Sequence, residues 1–311
     1  MPIEVIAAVW ECHWHSLPRE LTPISDDPKG RAYRRGLAPV LPTLITQLTP
    51  PFEHDVDKFK RTKLELEQLP YSLGGMSYAF FAFVRHQAQL KSLARQDGML
   101  WLKPEETEPL CYMLDLFLDH ARRAANAIVP YLRHKYSLHG QVHWSIARWN
   151  EGDWEKVPDC DVRELARKYW EGYGKKVKDY RDLSQHRTLV AYDDCGLVTR
   201  AGVTEFYIAL PNNPDVFRDG KPKAMERLSY DPPIHAILYM EELLHETIRF
   251  VNRFSVRLLD PSKPRNVALL GPNIRGSIGP SRQGIRPSVR TIDAELRKLL
   301  AELAEEESRG A

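Results

Sequence analysis

The chain has 311 residues, of which 43% are hydrophobic and 28% charged, so it holds enough apolar material for one large globular domain or two modest ones. These proportions exclude wholesale disorder and a fibrous repeat. The 44 Lys and Arg residues and the 42 Asp and Glu residues leave a net charge of +2, so total charge neither favours nor excludes a nucleic-acid partner.

The apolar segments and the cysteines predict a cytoplasmic protein without a transmembrane helix. The longest purely apolar runs, such as 79–84, are far shorter than the roughly 20 residues that span a bilayer. The first residues, MPIEVIAAVWECH, contain an acid and no Lys or Arg, unlike the basic start of a secretory signal. The cysteines form no CxxC pair, which indicates reduced thiols and neither a disulfide framework nor a zinc ribbon. They are Cys12, Cys111, Cys160 and Cys195.

Prolines dominate the start of the chain. Seven of them fall between residues 18 and 51, too close together for any long helix before about Glu53. We therefore expect residues 1–70 to form a Pro-rich N-terminal arm that packs on a larger body.

Two helices are predicted after the arm. Gly74 and Gly75 mark the start of an aromatic-rich run that predicts a helix over about 71–97. Pro104 suits a first helical turn, and the acids and periodic apolar residues that follow predict a long amphipathic helix over 104–136. Its apolar stripe comprises Leu110, Leu114, Phe117, Ala121, Ala124, Ile128 and Leu132.

Two more helices flank a segment with strand character. Apolar and aromatic residues at three- and four-residue spacing predict helices over about 161–187 and 231–259. Between them, the β-branched and aromatic segment 188–210 is interrupted by turn residues, which predicts a small antiparallel hairpin or a three-stranded meander.

The C-terminal part differs in composition from the rest. Residues 261–290 are rich in Pro, Gly and Ser and contain six basic residues and no acid, which predicts a linker or mobile arm. Residues 291–307 form an amphipathic pattern whose apolar face must pack against something. We expect this C-terminal helix to dock on its own chain or its dimer mate in preference to a foreign protein partner, because a short tether gives a high effective concentration.

These elements predict a mainly α fold. The four helices would form a bundle over residues 71–260, with the small antiparallel β-hairpin inserted between the third and fourth helices. No internal repeat of 20–50 residues is visible, which argues against a solenoid.

A short motif ends the third predicted helix. In KKVKDYRDLSQHR, Arg181 and His186 are separated by four residues, Asp182 follows the Arg directly, and Ser184 lies between the pair. With the four long helices, this pattern resembles the HEPN superfamily of all-helical domains, whose signature is an Arg and a His four to six residues apart. The resemblance covers roughly residues 71–260. It implies RNA cleavage without a metal or other cofactor, or RNA binding, in a defence or toxin system.

Helical geometry limits what one copy of the motif can do. Residues five apart on a helix differ by about 140° in direction, so Arg181 and His186 do not share a face. For catalytic members of the superfamily, the resemblance implies a homodimer in which a twofold axis brings two Arg and two His into one cleft. In such a cleft, His can move protons and Arg can neutralise charge on the phosphorane. DNA, which lacks the 2′-OH, would not be cut by this route.

Two readings compete with catalysis by this motif. Arg181 can be an ordinary ion-paired helix residue, and His186 can simply lie at the negative end of the helix dipole. A second match to the spacing, Arg133-x5-His139, lies at the end of the second predicted helix. The non-enzymatic alternative is a HEPN-like helical scaffold that binds a protein partner or a nucleotide.

A basic stripe is the candidate nucleic-acid contact. Arg249, Arg253 and Arg257 recur at steps of four on the fourth predicted helix and can follow a phosphate backbone, with Lys178 as a further contact beside the motif. The alternative is ordinary surface charge, because Glu242 and other acids lie at pairing distance along the helix.

Metal binding is the third functional hypothesis. Glu242 and His245 match the ExxH spacing of carboxylate-bridged di-metal bundles, but the second ExxH of such sites is missing. Glu11, His13 and His15 form a local cluster whose simpler explanation is packing around two tryptophans. We therefore expect no metal site and no cofactor.

P-loop, GxGxxG, GxSxG and HExxH motifs are absent, which argues against NTPase, dinucleotide-binding, α/β-hydrolase and zincin functions.

Overall fold

A computed structural model of the chain describes residues 40–50, 55–91, 98–186, 195–200, 203–216, 228–230 and 234–260. Several sequence predictions lie outside these ranges. They are residues 1–39 of the N-terminal arm with the Glu11, His13 and His15 cluster, the linker at 261–290 and the C-terminal helix at 291–307.

Part of the expected arm packs on the body. Helix α1 spans Val40–Leu48, and its residues Leu41 and Leu44 are buried. The Gln47 side chain both donates to the carbonyl and accepts from the N–H of Asp260, each at 2.9 Å. These two hydrogen bonds tie α1 to the residues that follow the helix ending at Leu258.

Helix α2 spans Val56–Lys91, which corrects the predicted start at residue 71. The segment 56–70, expected in the arm, is the first part of this helix. Pro70 lies inside it and removes one backbone hydrogen bond. Burial on both sides of the proline outweighs that loss, since Leu69 and Leu73 are fully buried.

Helix α3 spans Pro104–Tyr136, the predicted range. At its start, the N–H of Lys103 donates to the carboxylate of Glu106 at 2.8 Å. At its end, Ser137 takes a left-handed conformation with φ of 57° and stops the helix. Every member of the predicted apolar stripe is buried.

The third predicted helix is helical over its length but changes register once. A short helix α4, Glu151–Glu155, precedes helix α5, Cys160–Tyr169, which the Asp159 side chain caps. A π-helical turn at Trp170–Gly174 then leads into helix α6, Lys175–His186. The wider turn rotates α6 relative to the face of α5.

The predicted hairpin belongs to a small antiparallel sheet of four strands. The strands are β1, Gly98–Trp101; β2, Cys195–Arg200; β3, Val203–Leu210; and β4, Ile234–His235. They lie in the order β1-β2-β3-β4. The β2–β3 pairing confirms a hairpin between the third and fourth long helices, while β1 and β4 were not predicted.

Helix α7, Ala236–Leu258, closes the core. It packs against α1, α2, α3 and α5, while α2 and α3 pack along much of their length. The Tyr131 hydroxyl crosses from α3 to donate to the carbonyl of Leu66 on α2 at 2.7 Å.

The elements together confirm the predicted mainly α fold with a small antiparallel sheet. In the described part of the chain, no helix is long and apolar enough to cross a membrane.

Candidate functional site

Helix α6 meets α3 along a polar seam that contains most of the predicted motif. The seam is defined by charged and polar side chains that the two helices place next to each other. From α3 these are Asp115, Asp119 and Arg122, and from α6 they are Lys178, Asp179, Arg181, Asp182 and Ser184.

The π-helical turn sets the direction in which α6 leaves α5. A Cβ at Gly174 would collide with the Trp170 ring, so only glycine lets the indole fold over the turn. The Arg122 guanidinium lies over that indole, 5.4 Å from the ring centroid. Trp170 and Arg122 thus hold the start of α6 against α3.

Arg181 lies at the partly open edge of the seam. Its side chain is 31% exposed, and its Nε is 3.9 Å from an Asp119 carboxylate oxygen. Its Nη1 donates to the Asp182 carboxylate at 3.3 Å. Two carboxylates therefore balance the Arg181 charge while part of the side chain still faces solvent.

The ion pairs continue on both sides of Arg181. Lys178 Nζ lies 2.9 Å from Asp182, one turn along α6. On α3, Asp119 also pairs with Arg123 at 2.8 Å. Lys178, which we predicted as a nucleic-acid contact, is thus part of the seam, where it neutralises Asp182.

Asp115 is the most perturbed acid of the seam. Burial raises its pKa to about 6, and a hydrogen bond from the Ser184 side chain offsets part of the rise. Its Oδ1 is buried and has no hydrogen-bond partner among the described residues. Burial also raises the pKa of Asp179. A carboxyl that titrates near neutral pH, next to a motif residue, is typical of functional sites.

Arg122 anchors the buried end of the seam. Burial lowers its pKa, and Asp182 opposes that effect. Its guanidinium donates to Asn126 at 3.3 Å and to Ser145 at 3.4 Å. Arg122 therefore links the seam to the loop that follows α3.

The structure brings three of the four motif residues to the seam. Arg181 lies near Asp119 of α3, and the Ser184 side chain hydrogen-bonds to Asp115. Asp182 pairs with Arg181 and interacts electrostatically with Arg122 of α3. His186 is the last residue of α6, and its side chain lies outside the described part of the chain. The relative position of the Arg and His side chains stays a prediction.

An exposed apolar strip borders the seam on α3. Tyr112 is 60% exposed and Leu116, one turn later, is 38% exposed. They lie on α3 beside Asp115 and Asp119, which contact the motif. These two side chains form an exposed apolar strip next to the polar seam.

The basic stripe on α7 is not joined to the seam. Arg249 pairs with Glu246 at 2.8 Å, and Arg257 pairs with Asp161 at 2.7 Å. Arg253 lies between them on the same helix and also has interaction partners. These ion pairs favour the surface-charge interpretation of the stripe.

The Glu242 and His245 pair is not part of a ligand cluster. Within the described ranges, no group of three His, Cys, Asp or Glu side chains is placed to hold a metal ion. His245 Nδ1 instead lies 3.5 Å from Glu246.

Sequence reasoning missed the α3 half of the seam. Asp115, Asp119, Arg122 and Asn126 recur at three- and four-residue spacing, beside the apolar stripe of α3. That polar row was the available signal, but nothing in it showed that α6 would be its neighbour.

No protein-family model, curated protein or solved structure matches the chain. The HEPN resemblance therefore rests on the Arg-x4-His motif and on the helical fold.

Proposed function

We propose that the chain is a HEPN-like, metal-independent endoribonuclease that works as a homodimer in the cytoplasm. The observation that carries this proposal is the position of Arg181. It lies at the half-open edge of the seam, next to Asp182 and Ser184, near the end of α6 at His186.

The chemistry follows from the residue types. The His186 imidazole takes the proton of a ribose 2′-OH, and the 2′-oxygen attacks the adjacent phosphorus. The bond from phosphorus to the 5′-oxygen breaks, and a second imidazole protonates that oxygen. The products are a 2′,3′-cyclic phosphate and a 5′-OH. Arg181 stabilises the negative charge that builds on the phosphorane.

The seam prepares Arg181 for this role. Asp119 and Asp182 hold the guanidinium from two sides, which limits its rotamers before substrate arrives. The hydrogen bond to Asp182 is long, at 3.3 Å, and Asp119 makes only an ion pair at 3.9 Å, so a phosphate can compete for the guanidinium.

The dimer supplies the second imidazole. On an ideal helix, positions five apart differ by about 140° in direction, so we expect that the motif of a single copy does not aim both residues at one phosphate. The exposed Tyr112 and Leu116 lie beside the seam, and their burial against a second copy would bring two motifs together.

A non-catalytic scaffold is the second candidate. The observation in its favour is that Arg181 already has two carboxylate partners, which is enough to explain an Arg at this position without any substrate. In that case the chain would bind RNA, a nucleotide or a protein partner without cutting RNA.

Cleavage of labelled RNA in EDTA separates the two candidates. The wild type should cut RNA, while His186→Ala and Arg181→Gln should each lose at least about a hundredfold in rate. His139→Ala, in the second match to the spacing, is the matched control and should cut normally. Equal cleavage by all four proteins, or none by the wild type, would contradict the ribonuclease proposal.

A further inference from the structure

A shallow surface recess, wide open to solvent, lies at the C-terminal end of α3, far along the helix from Asp115 and Asp119. Its volume is about 520 Å³. We refer to it as the Trp144 recess. It is lined by Arg133, Gly140, Gln141, Val142, His143, Trp144, Arg148 and Asp153.

Trp144 presents an exposed indole in this recess. Its side chain is 65% exposed, and its ring contacts the His143 ring at a centroid distance of 5.4 Å and a 32° tilt. The nearby Trp149 and Trp154 are buried and pack edge to face on each other. Most of the Trp144 side chain is therefore accessible to a ligand, despite the contact with His143. Aromatic rings of ligands stack on exposed indoles.

The Arg148 guanidinium lies beside the indole. Its Nη1 is 3.4 Å from His143 Nε2. His143 Nδ1 accepts from the Ser145 N–H at 2.9 Å and also lies 3.3 Å from the Ser145 carbonyl oxygen. The imidazole meets only one N–H of Arg148, and the other guanidinium N–H groups suit an anionic oxygen.

Arg133 adds a second cationic group. Its Nε is buried and has no hydrogen-bond partner among the described residues. The one acid in the lining, Asp153, already accepts from the Asn150 N–H at 3.2 Å and lies 3.3 Å from Lys156 Nζ. The carboxylate is thus occupied, and the charge available to a ligand is positive.

We propose that the Trp144 recess binds a nucleotide unit. The base stacks on the Trp144 indole, and the phosphate lies against the Arg148 guanidinium with Arg133 behind it. A planar ring joined to a phosphate is the ligand chemistry that an exposed indole and convergent cationic donors recognise together. The ligand is either a free nucleotide or the phosphorylated end of an RNA. This site does not rest on the Arg181 motif.

Calorimetric titration of the full chain with AMP, GMP, CMP and UMP tests the proposal. His186→Ala protein serves as the background, so that cleavage cannot interfere. At least one nucleotide should bind. Trp144→Ala and Arg148→Gln should each weaken binding about tenfold or more. The matched control, Lys168→Gln, removes one exposed positive charge from α5 and should bind as its parent does.

Two compounds that each carry one half of a nucleotide make the test more specific. Adenosine alone and inorganic phosphate alone should bind at least tenfold more weakly than AMP, because each uses one half of the recess. No binding of any nucleotide at millimolar concentration, equal affinity in Trp144→Ala, or phosphate as tight as AMP would overturn the proposal.

A pair of short RNAs identifies the source of the nucleotide. A 5′-phosphorylated RNA trinucleotide that binds more tightly than its 5′-hydroxyl counterpart and than AMP supports the site as a reader of RNA ends. AMP binding more tightly than either RNA supports a free nucleotide. Because these titrations use the His186→Ala variant, their outcome does not depend on whether the chain is a ribonuclease.

Discussion

The His120 imidazole on α3 lies so close to Gly75 on α2 that a Cβ at position 75 would collide with the ring. His120 is buried, and its Nδ1 has no hydrogen-bond partner within the described residues. Burial, with the nearby Arg123 charge, lowers the His120 pKa, which favours the neutral ring. The ring centroids of Tyr71 and His120 lie 5.7 Å apart. Gly75 is therefore a packing residue that lets α2 and α3 approach.

Gly75→Ala should destabilise the fold. Overpacking costs about 1–3 kcal/mol, while replacing a helical glycine with alanine returns about 1 kcal/mol. We expect a net loss of up to about 2 kcal/mol in the free energy of unfolding, measured by urea denaturation. Gly74→Ala is the matched control, because nothing lies within 4 Å of a Cβ there, and it should stabilise the helix by up to about 1 kcal/mol. Equal stability of the two variants would contradict the packing role.

Asp115→Asn should change how stability depends on pH. The carboxyl has a pKa of about 6 in the fold against an ordinary value of 3.8, so the folded state binds more protons between these values. The Asp115 contribution to stability therefore falls as pH rises through this window. Asn cannot ionise, so the Tm of the variant minus that of the wild type should increase from pH 4 to pH 7. A constant difference would show that Asp115 titrates normally.

Tyr180→Phe should loosen the contact between α6 and the end of β3. The buried Tyr180 hydroxyl donates to the carbonyl of Pro211 at 2.6 Å, and its removal leaves that carbonyl unpaired. The expected loss is about 1–3 kcal/mol in the free energy of unfolding. Tyr71→Phe, at a position that is 54% exposed, serves as the control and should be neutral. A neutral Tyr180→Phe would contradict this assignment.

The helices could be read from the sequence where one apolar face repeats without interruption. In α3, residues from Leu110 to Leu132 keep three- and four-residue spacing, and the predicted and observed ranges agree. In α2, Pro70, Gly74 and Gly75 are residues that commonly mark the end of a helix. The helix nevertheless continues through them, because its residues on both sides of the proline are buried in the tertiary fold. Strand β1 has four residues, GMLW, and exists through its pairing with β2.

The candidate site was likewise predictable from the sequence only in part. The motif on α6 is local, so Arg181 and Asp182 could be found by spacing alone. Their partner Asp119 comes from a helix far away in the sequence, and its role depends on how α6 packs. The raised pKa of Asp115 depends on burial between two helices, which no local pattern encodes.

Leu116→Glu should separate the proposed dimer. The wild type should have a solution mass of about twice 35.9 kDa at low micromolar concentration. A charge at Leu116, in the strip beside the seam, should give the monomer mass and abolish RNA cleavage in EDTA. Leu64→Glu is the matched control, since Leu64 is 62% exposed on α2 and not part of the strip. A wild type that is strictly monomeric would contradict the composite cleft.

The most direct test of the ribonuclease proposal is the cleavage rate in EDTA on two matched substrates, an RNA and the same strand with 2′-deoxyribose at the cleaved position. The wild type should cut the RNA to a 2′,3′-cyclic phosphate and leave the deoxy strand intact, because the attacking 2′-oxygen is missing. His186→Ala should cut neither. Cleavage of the deoxy strand at a similar rate, or RNA cleavage that survives His186→Ala, would contradict the proposed mechanism.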